Sequence, residues 1–317
     1  PLEMHRTCTS VRDLVAVDNF ATPHKTLLHA SQPIPWVNWD NMAAAGGLVS
    51  SVHDMSQWLR LQLRRGALAT GPRLFSEEQA LNMWQAHTPI PITARGSARF
   101  PSTHFRAYGL GWALSDYKGR KLITHGGGYD GMYSMVLLIP EEQWGIVVLT
   151  NSMTSISESI IYRAVDELLG GDRRDWSGDN LELFQKSRVE FRARVDAAIQ
   201  PSAIGTRPSH ALTAYEGTYH DDLYGDVDVT LEDGKLVLRL RPNPLFVADL
   251  EHLHFDTFVI RWRNSSAWFD EGTAHFVADA RGDFVELKLD VPNDDLWFHE
   301  LRLLRRDGPP SPDAPAP

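Results

Sequence analysis

The chain has 317 residues, a hydrophobic fraction of 43% and a charged fraction of 23%, which is ordinary for a globular protein and long enough for two domains. Its formal net charge of -10 and pI near 5.7 argue against a basic nucleic-acid surface, and no apolar run reaches the length of a transmembrane helix. The lone cysteine, Cys8, excludes an intrachain disulfide and a cysteine-based metal site. The chain opens on Pro1 with no charged-then-apolar leader after it, so it reads as a cut or partial chain and its compartment is not legible from composition.

In chain order, residues 1–100 read as helical and loop-rich. Ser51-Val52-His53-Asp54 is a capping-box pattern, with the hydroxyl set to accept an orphan N–H and the acid set against the helix dipole. Val52, Met55, Leu59 and Leu63 form an apolar stripe behind it, and Gly66 stops the helix. Ser76-Glu77-Glu78-Gln79 repeats the signal before Leu81 and Trp84, whereas residues 86–104 lack periodicity and read as a surface loop. Tyr108–Leu114, Lys121–Thr124, Tyr133–Ile139 and Trp144–Thr150 then read as strands joined by short polar hairpin links. A helix over 155–169 ends at Gly170-Gly171, and a second helical segment spans 179–199 before Pro201. Strands followed by a packing helix predict an α+β domain.

After that the composition shifts. From Thr213 to Leu304, short alternating strands are punctuated by turn pairs such as Asp233-Gly234, Glu271-Gly272 and Arg281-Gly282. Val227, Val229 and Leu231 alternate cleanly with polar residues, as do Leu236, Leu238 and Leu240, while Phe284, Leu287 and Leu289 only nearly do so. About eight such strands fit a small closed barrel, because closure removes the exposed edges of an open sheet. The Pro-rich end, 307–317, reads as disordered.

The most informative stretch is Thr124-His125-Gly126-Gly127-Gly128-Tyr129-Asp130-Gly131. Three consecutive glycines between strands cost conformational entropy that a plain hairpin would not demand. They suit a place where a ligand approaches bare backbone N–H groups; the rival reading is a glycine-rich turn beside an incidental histidine. An α/β-hydrolase oxyanion loop of the His-Gly-Gly-Gly kind would need a Gly-x-Ser-x-Gly elbow, and the chain has none. The stretch instead resembles the Lys-Thr-Gly or His-x-Gly motif of penicillin-recognising serine enzymes, which lies on an edge strand directly before its hairpin partner, as Lys121 to His125 would before Tyr133 to Ile139.

Five ordered segments carry a family resemblance: Pro1-Leu2-Glu3-Met4, Ala44-Ala45-Gly46-Gly47-Leu48-Val49-Ser50-Ser51, Tyr108-Gly109-Leu110-Gly111-Trp112, His125-Gly126-Gly127-Gly128 and Leu149-Thr150-Asn151. Together they resemble the β-lactamase-related serine hydrolases, which include class C β-lactamases, D-aminopeptidases, D-Ala-D-Ala carboxypeptidases and penicillin-binding-protein-like esterases. Residues 213–304 resemble the lipocalin-like barrel appended to some of those peptidases. The resemblance implies a β-lactamase/transpeptidase-like antiparallel sheet with helices over 1–170, incomplete at its N-terminus. A helical connector over 171–207 and a barrel over 208–306 follow. It implies a serine acyl-enzyme that opens an ester, amide or lactam bond in a small molecule or peptide, without metal or organic cofactor, in a periplasmic or secreted setting. It gives His125 and Gly128 catalytic roles, the latter as an oxyanion-hole N–H, with a one-residue slip to Gly127 left open. Gly126, Gly127 and Tyr129 would contact substrate.

The family's Ser-x-x-Lys and Tyr-x-Asn elements are not found in the expected form. Ser115-Asp116-Tyr117-Lys118 sits in a hairpin followed by Gly119, where no helix aligns serine and lysine, and neither Tyr-x-Asn nor Ser-x-Asn occurs. Both elements normally precede the family's Pro-Leu-Gly-Met element, which Pro1-Leu2-Glu3-Met4 resembles, so the chain alone is expected to lack serine-dependent turnover. The alternative is a non-catalytic binding protein on a degenerate hydrolase scaffold, with a barrel that holds a ligand or partner. His252 and His254 form a pair on one strand without a third metal ligand at useful spacing, and Asp221, Asp222, Asp226 and Asp228 lack calcium-loop spacing. Trp36, Trp39 and Trp84 read as cleft or core aromatics.

Overall fold

A computed structural model describes residues 1–27, 30–171, 174–293 and 295–306. The Pro-rich 307–317 segment lies outside them. The chain divides into two compact units, Pro1–Phe184 and Gln185–Pro317.

The first unit opens with a two-stranded ribbon, β1 (His24–Thr26) and β2 (Ser31–Pro33), and a short helix α1 (Ala43–Gly46). Helix α2 (Val52–Leu63) begins where the Ser51 hydroxyl accepts the Asp54 N–H at 3.3 Å. The Asp54 carboxylate, however, turns into the protein. Its Oδ2 accepts from Arg6 N–H at 2.7 Å and from the Thr7 hydroxyl at 2.8 Å, so the capping acid anchors the start of the chain. Helix α3 (Glu77–Met83) starts at the Ser76 cap as its sequence implies. The 86–104 stretch is more ordered than its lack of periodicity suggests. It holds β3 (Thr88–Pro89) and α4 (Ala94–Arg99), the latter capped by Thr93 accepting from Gly96 N–H at 3.1 Å.

Five further strands complete a six-stranded antiparallel sheet in the order β3 to β8: β4 (Arg106–Tyr108), β5 (Ala113–Tyr117), β6 (Arg120–Tyr129), β7 (Met132–Ile139) and β8 (Trp144–Thr150). The stretch expected as one strand over 108–114 is broken. Gly109 N–H bonds back to the Trp112 carbonyl at 2.7 Å, and Gly111 takes φ +75°. A side chain at Gly109 would place its Cβ 2.2 Å from the Met83 carbonyl oxygen, so only glycine passes there.

Helix α2 covers one face of the sheet. Leu59 packs there with Trp84, Trp112, Leu114, Ile123, Val136 and Leu138. Helix α5 (Ile156–Leu169) covers the other, where Ile161 and Val165 meet Tyr117, Leu122, Leu137, Ile139 and Val148. Consecutive residues such as Leu122-Ile123 and Leu137-Leu138 therefore go to opposite cores, which explains why these strands read as unbroken apolar runs. Each fully buried Leu or Ile contributes about 1.5–3 kcal/mol of transfer free energy.

Helix α6 (Trp176–Ala198) contains the boundary between the units. The second unit is a closed eight-stranded antiparallel barrel: β9 (Gly217–Asp221), β10 (Gly225–Glu232), β11 (Lys235–Leu240), β12 (Val247–His254), β13 (Thr257–Trp262), β14 (Gly272–Ala278), β15 (Phe284–Asp290) and β16 (Leu303–Arg305), which pairs back onto β9. Inward residues fill it, with Tyr215, Tyr219, Phe258, Phe276 and Phe284 packed among Val227, Val229, Leu238, Ile260 and Leu287. An eight-stranded barrel has just enough room for such a core. The imperfect alternation near Phe284 has a local cause: Val277 pairs with Glu286 and Ala278 with Phe284, so Val285 is an extra bulged residue, 40% exposed.

Candidate active site

The glycine run is not a loop. It continues β6 beyond Thr124, with His125 paired to Val136, Gly126 to Met135, Gly127 to Ser134, Gly128 to Tyr133 and Tyr129 to Met132 on β7. On its other side β6 pairs with β5 only as far as Thr124 opposite Ala113. The β4–β5 turn occupies 109–112, so β5 begins too late to cover residues 125–129.

The register decides which amides this exposes. Tyr117 and Arg120 close a two-residue hairpin whose central residues, Lys118 and Gly119, have φ +48° and +75°. The closing pair of such a hairpin exchanges hydrogen bonds, and the pattern then alternates along the strand. Arg120, Leu122 and Thr124 therefore face β5, whereas His125, Gly127 and Tyr129 face β7. Gly126 and Gly128 continue the first series, and their N–H and C=O groups point out from the uncovered edge. Gly127 is the wrong residue for an outward donor: its N–H is spent on β7, and its carbonyl also accepts the Ser134 hydroxyl at 3.4 Å. His125, Gly126 and Gly127 are exposed and Gly128 is half-buried.

Gly126 has a second reason to be glycine. A Cβ there would stand 2.7 Å from the Tyr133 hydroxyl, which lies across it. Burial, and then the charge of Glu158, raise the Tyr133 phenol above its ordinary value, so it stays a neutral hydroxyl beside the edge.

His125 Nε2 lies 3.1 Å from the Tyr108 hydroxyl, with the ring centroids 6.4 Å apart. Tyr108 is the last residue of β4, just before the Gly109–Trp112 turn, and is 37% exposed. Only its place in a family-like segment marked it in the sequence; nothing there signals that it reaches His125.

Tyr129 is committed elsewhere. Its ring lies 4.5 Å from Trp39 and 5.9 Å from Trp36, and its hydroxyl donates to the Val37 carbonyl. Burial, and then the Asp130 charge, push its phenol up to about 12. Trp39 Nε1 donates to Asp130 Oδ2 at 2.8 Å. This aromatic clamp holds the β6–β7 hairpin end, and His24 N–H adds a bond to the Gly131 carbonyl at 3.0 Å. Asn151, just past β8, ties in the same region by donating to the Thr22 carbonyl at 2.9 Å.

The Ser115-x-x-Lys118 pattern is structural. Ser115 lies on β5, while Lys118 Nζ donates to Asp166 Oδ1 at 2.7 Å and to the Gly170 carbonyl at 2.9 Å. Trp84 is buried in the core of the first unit. A register shift separates His252 from His254; His252 Nε2 meets the Phe255 carbonyl, and His254 Nδ1 accepts from Ser202 N–H. Asp226 and Asp228 are engaged by Arg241, and Asp221 accepts three backbone N–H groups. Among the described residues no group of three or more His, Cys, Asp or Glu side chains is set to hold a metal ion, and no helix is long and apolar enough to cross a membrane.

Comparison with known proteins adds a family context to this geometry. The Beta-lactamase family model matches residues 1–169, and a Domain of unknown function (DUF3471) matches 202–305. The chain is 27% identical over 259 residues to the Unguisins hydrolase ungD of Aspergillus violaceofuscus, covering 74% of this chain and 45% of that protein. It is 26% identical over 155 residues to Protein flp of Staphylococcus aureus, covering 47% and 26%. It thus spans less than half the length of either relative. Among solved structures, an octameric penicillin-binding protein homologue from Pyrococcus abyssi is 20% identical, with a TM-score of 0.43 over 96% of this chain and 57% of that one.

Proposed function

Since the chain belongs to the beta-lactamase family, we propose that its first unit forms the oxyanion-binding wall of a serine hydrolase acting through an acyl-enzyme. The observation that carries this reading is the uncovered edge of β6, where Gly126 and Gly128 turn backbone N–H groups outward beside His125. Fixed dipoles of this kind stabilise charge that develops on a carbonyl oxygen, and they need no reorganisation to do so.

In this reading the nucleophilic serine and its lysine and tyrosine partners come from sequence outside these residues. The serine oxygen attacks the carbonyl carbon of an ester, amide or lactam, and the carbonyl electron pair moves onto oxygen. Gly128 N–H and the nucleophile's own N–H hold that oxyanion. Its collapse expels the alcohol or amine, which takes up the proton lost by the serine, and water then releases the acyl group. His125 borders the acyl pocket at the position of the third-motif basic residue. A histidine there, in place of lysine, leans toward peptidase or esterase over lactamase chemistry.

The rival reading puts a ligand inside the barrel. Its interior is filled by aromatic and aliphatic side chains, and no specific observation favours that reading. The test is a panel of p-nitrophenyl esters, D-amino-acid anilides and a chromogenic cephalosporin on the full-length gene product. Unguisins join the panel because one relative is named for hydrolysing them. Turnover of one class with a burst of acyl-enzyme is the expected result. Failure on all of them, with no fluorophosphonate labelling, overturns the proposal.

A further inference from the structure

The hydrolase reading leaves Tyr108 without a role, although its hydroxyl lies 3.1 Å from His125 Nε2. Its position follows from the same turn that uncovers the edge. Tyr108 pairs with Ala113, and Ala113 with Thr124, so the tyrosine ends β4 in the row just before His125. Where β5 would have continued alongside the histidine there is instead the Gly109–Trp112 turn, and the phenol reaches to the imidazole.

We infer that Tyr108 is a positioning residue: its O–H donates to His125 Nε2 and holds the neutral ring with its proton on Nδ1. The two directions of this hydrogen bond are not equivalent. A phenol is a good donor, and the in-plane lone pair of an unprotonated imidazole nitrogen is a strong acceptor. The reverse bond would ask a phenolic oxygen, whose lone pair is delocalised into its ring, to accept from Nε2–H. The phenolic oxygen is thus the poorer acceptor of the two and the imidazole nitrogen the better one. The histidine therefore presents Nδ1–H as a donor, and the substrate atom it meets is an acceptor oxygen. This step rests on the proposed place of His125 at the reacting edge.

The test is the tautomer itself. Long-range 1H–15N correlation spectra at alkaline pH distinguish Nδ1–H from Nε2–H rings, and His125 is assigned by the signals lost in His125→Gln. The 317-residue chain should show His125 as Nδ1–H, and Tyr108→Phe should move it toward the Nε2–H form that free histidine prefers. A histidine that is Nε2–H in the parent, or unchanged in Tyr108→Phe, overturns the inference. In the full-length hydrolase, Tyr108→Phe should lower kcat by about 3- to 10-fold, the scale of one neutral hydrogen bond, with KM nearly unchanged. It should have no further effect in a His125→Ala background. A tautomer shift with kcat unaltered refutes the positioning role. If instead His125→Ala is itself silent while the tautomer behaves as stated, the hydrolase reading fails and the Tyr108–His125 pairing stands.

Discussion

Proline at position 128 removes one N–H and little else, because that amide points out from the uncovered edge and makes no ladder bond to β7. Proline is tolerated in strands where the missing donor faces away from the sheet. Losing one oxyanion donor costs about 2.7–4 kcal/mol of transition-state stabilisation, so if Gly128 N–H has the role proposed above, Gly128→Pro should lower kcat for the substrate class found in the panel by about 100- to 1000-fold. Gly127→Pro is the matched control in the opposite phase. Its N–H bonds across to the strand carrying Ser134, so the substitution should cost about 1–2 kcal/mol of stability through the lost bond and the ring pressed against β7. For a unit of this size that is a fall in Tm of roughly 2–8 °C. Gly128→Ala keeps the donor and should retain most of the activity, which separates loss of the N–H from crowding. The assay is hydrolysis of the best ester in the panel, beside thermal unfolding of each variant. A native-like Gly128→Pro with full activity would refute the oxyanion role given to that N–H, and a Gly127→Pro variant that unfolds no earlier than the parent would refute the edge register.

Four further expectations follow from particular contacts. Asp166 is buried and accepts from Lys118 Nζ, Tyr117 hydroxyl and Trp176 Nε1 at 2.7, 2.8 and 2.7 Å; Asp166→Asn should cost about 3–5 kcal/mol by chemical denaturation, because it leaves Lys118 without its charge partner. Burial raises that carboxyl, but the hydrogen bonds from Lys118, Trp176 and Tyr117 outweigh it and hold it below its ordinary value of 3.8. Its stabilising effect is therefore complete above that value and is lost as pH falls through the lower folded-state value; a Tm–pH curve as steep below 3.8 in Asp166→Asn as in the parent would show the reasoning wrong. Phe276→Ala removes the ring at the centre of Tyr215, Tyr219, Phe258 and Phe284 and should destabilise the barrel by about 3–5 kcal/mol in urea titration, whereas a loss under about 1 kcal/mol would mean the core is not packed as described. A fluorophosphonate probe should leave Ser115 unlabelled in the 317-residue chain, since Lys118 is held by Asp166; peptide mapping of an adduct at that serine would overturn the structural role given to the pair.

Much of the site was legible as chemistry but not as geometry. The glycine run beside His125 stood out because three glycines have no use in a plain hairpin. Yet periodicity placed the end of the strand at Thr124, since glycines carry no side chain with which to show alternation. Which glycine presents its amide is a matter of phase, and phase is counted from the Lys118-Gly119 hairpin and from the point where β5 gives way to the Gly109–Trp112 turn. The family resemblance implies a substrate contact for Tyr129; in the fold its hydroxyl is taken by Val37 and its ring by Trp36 and Trp39, residues about ninety positions earlier.

Local rules were enough where the physics is local. The caps at Ser51 and Ser76, the hairpin turns and the alternation of the barrel strands each depend on bonds or packing between residues a few positions apart, and all are visible in the amino-acid order. Tertiary structure alone decided the fate of Asp54, the bulge at Val285, the pairing of Tyr108 with His125 and the uncovered stretch of β6. Each of those depends on which strand or segment arrives alongside and where it stops, and a chain read in one dimension holds no record of its neighbours in space.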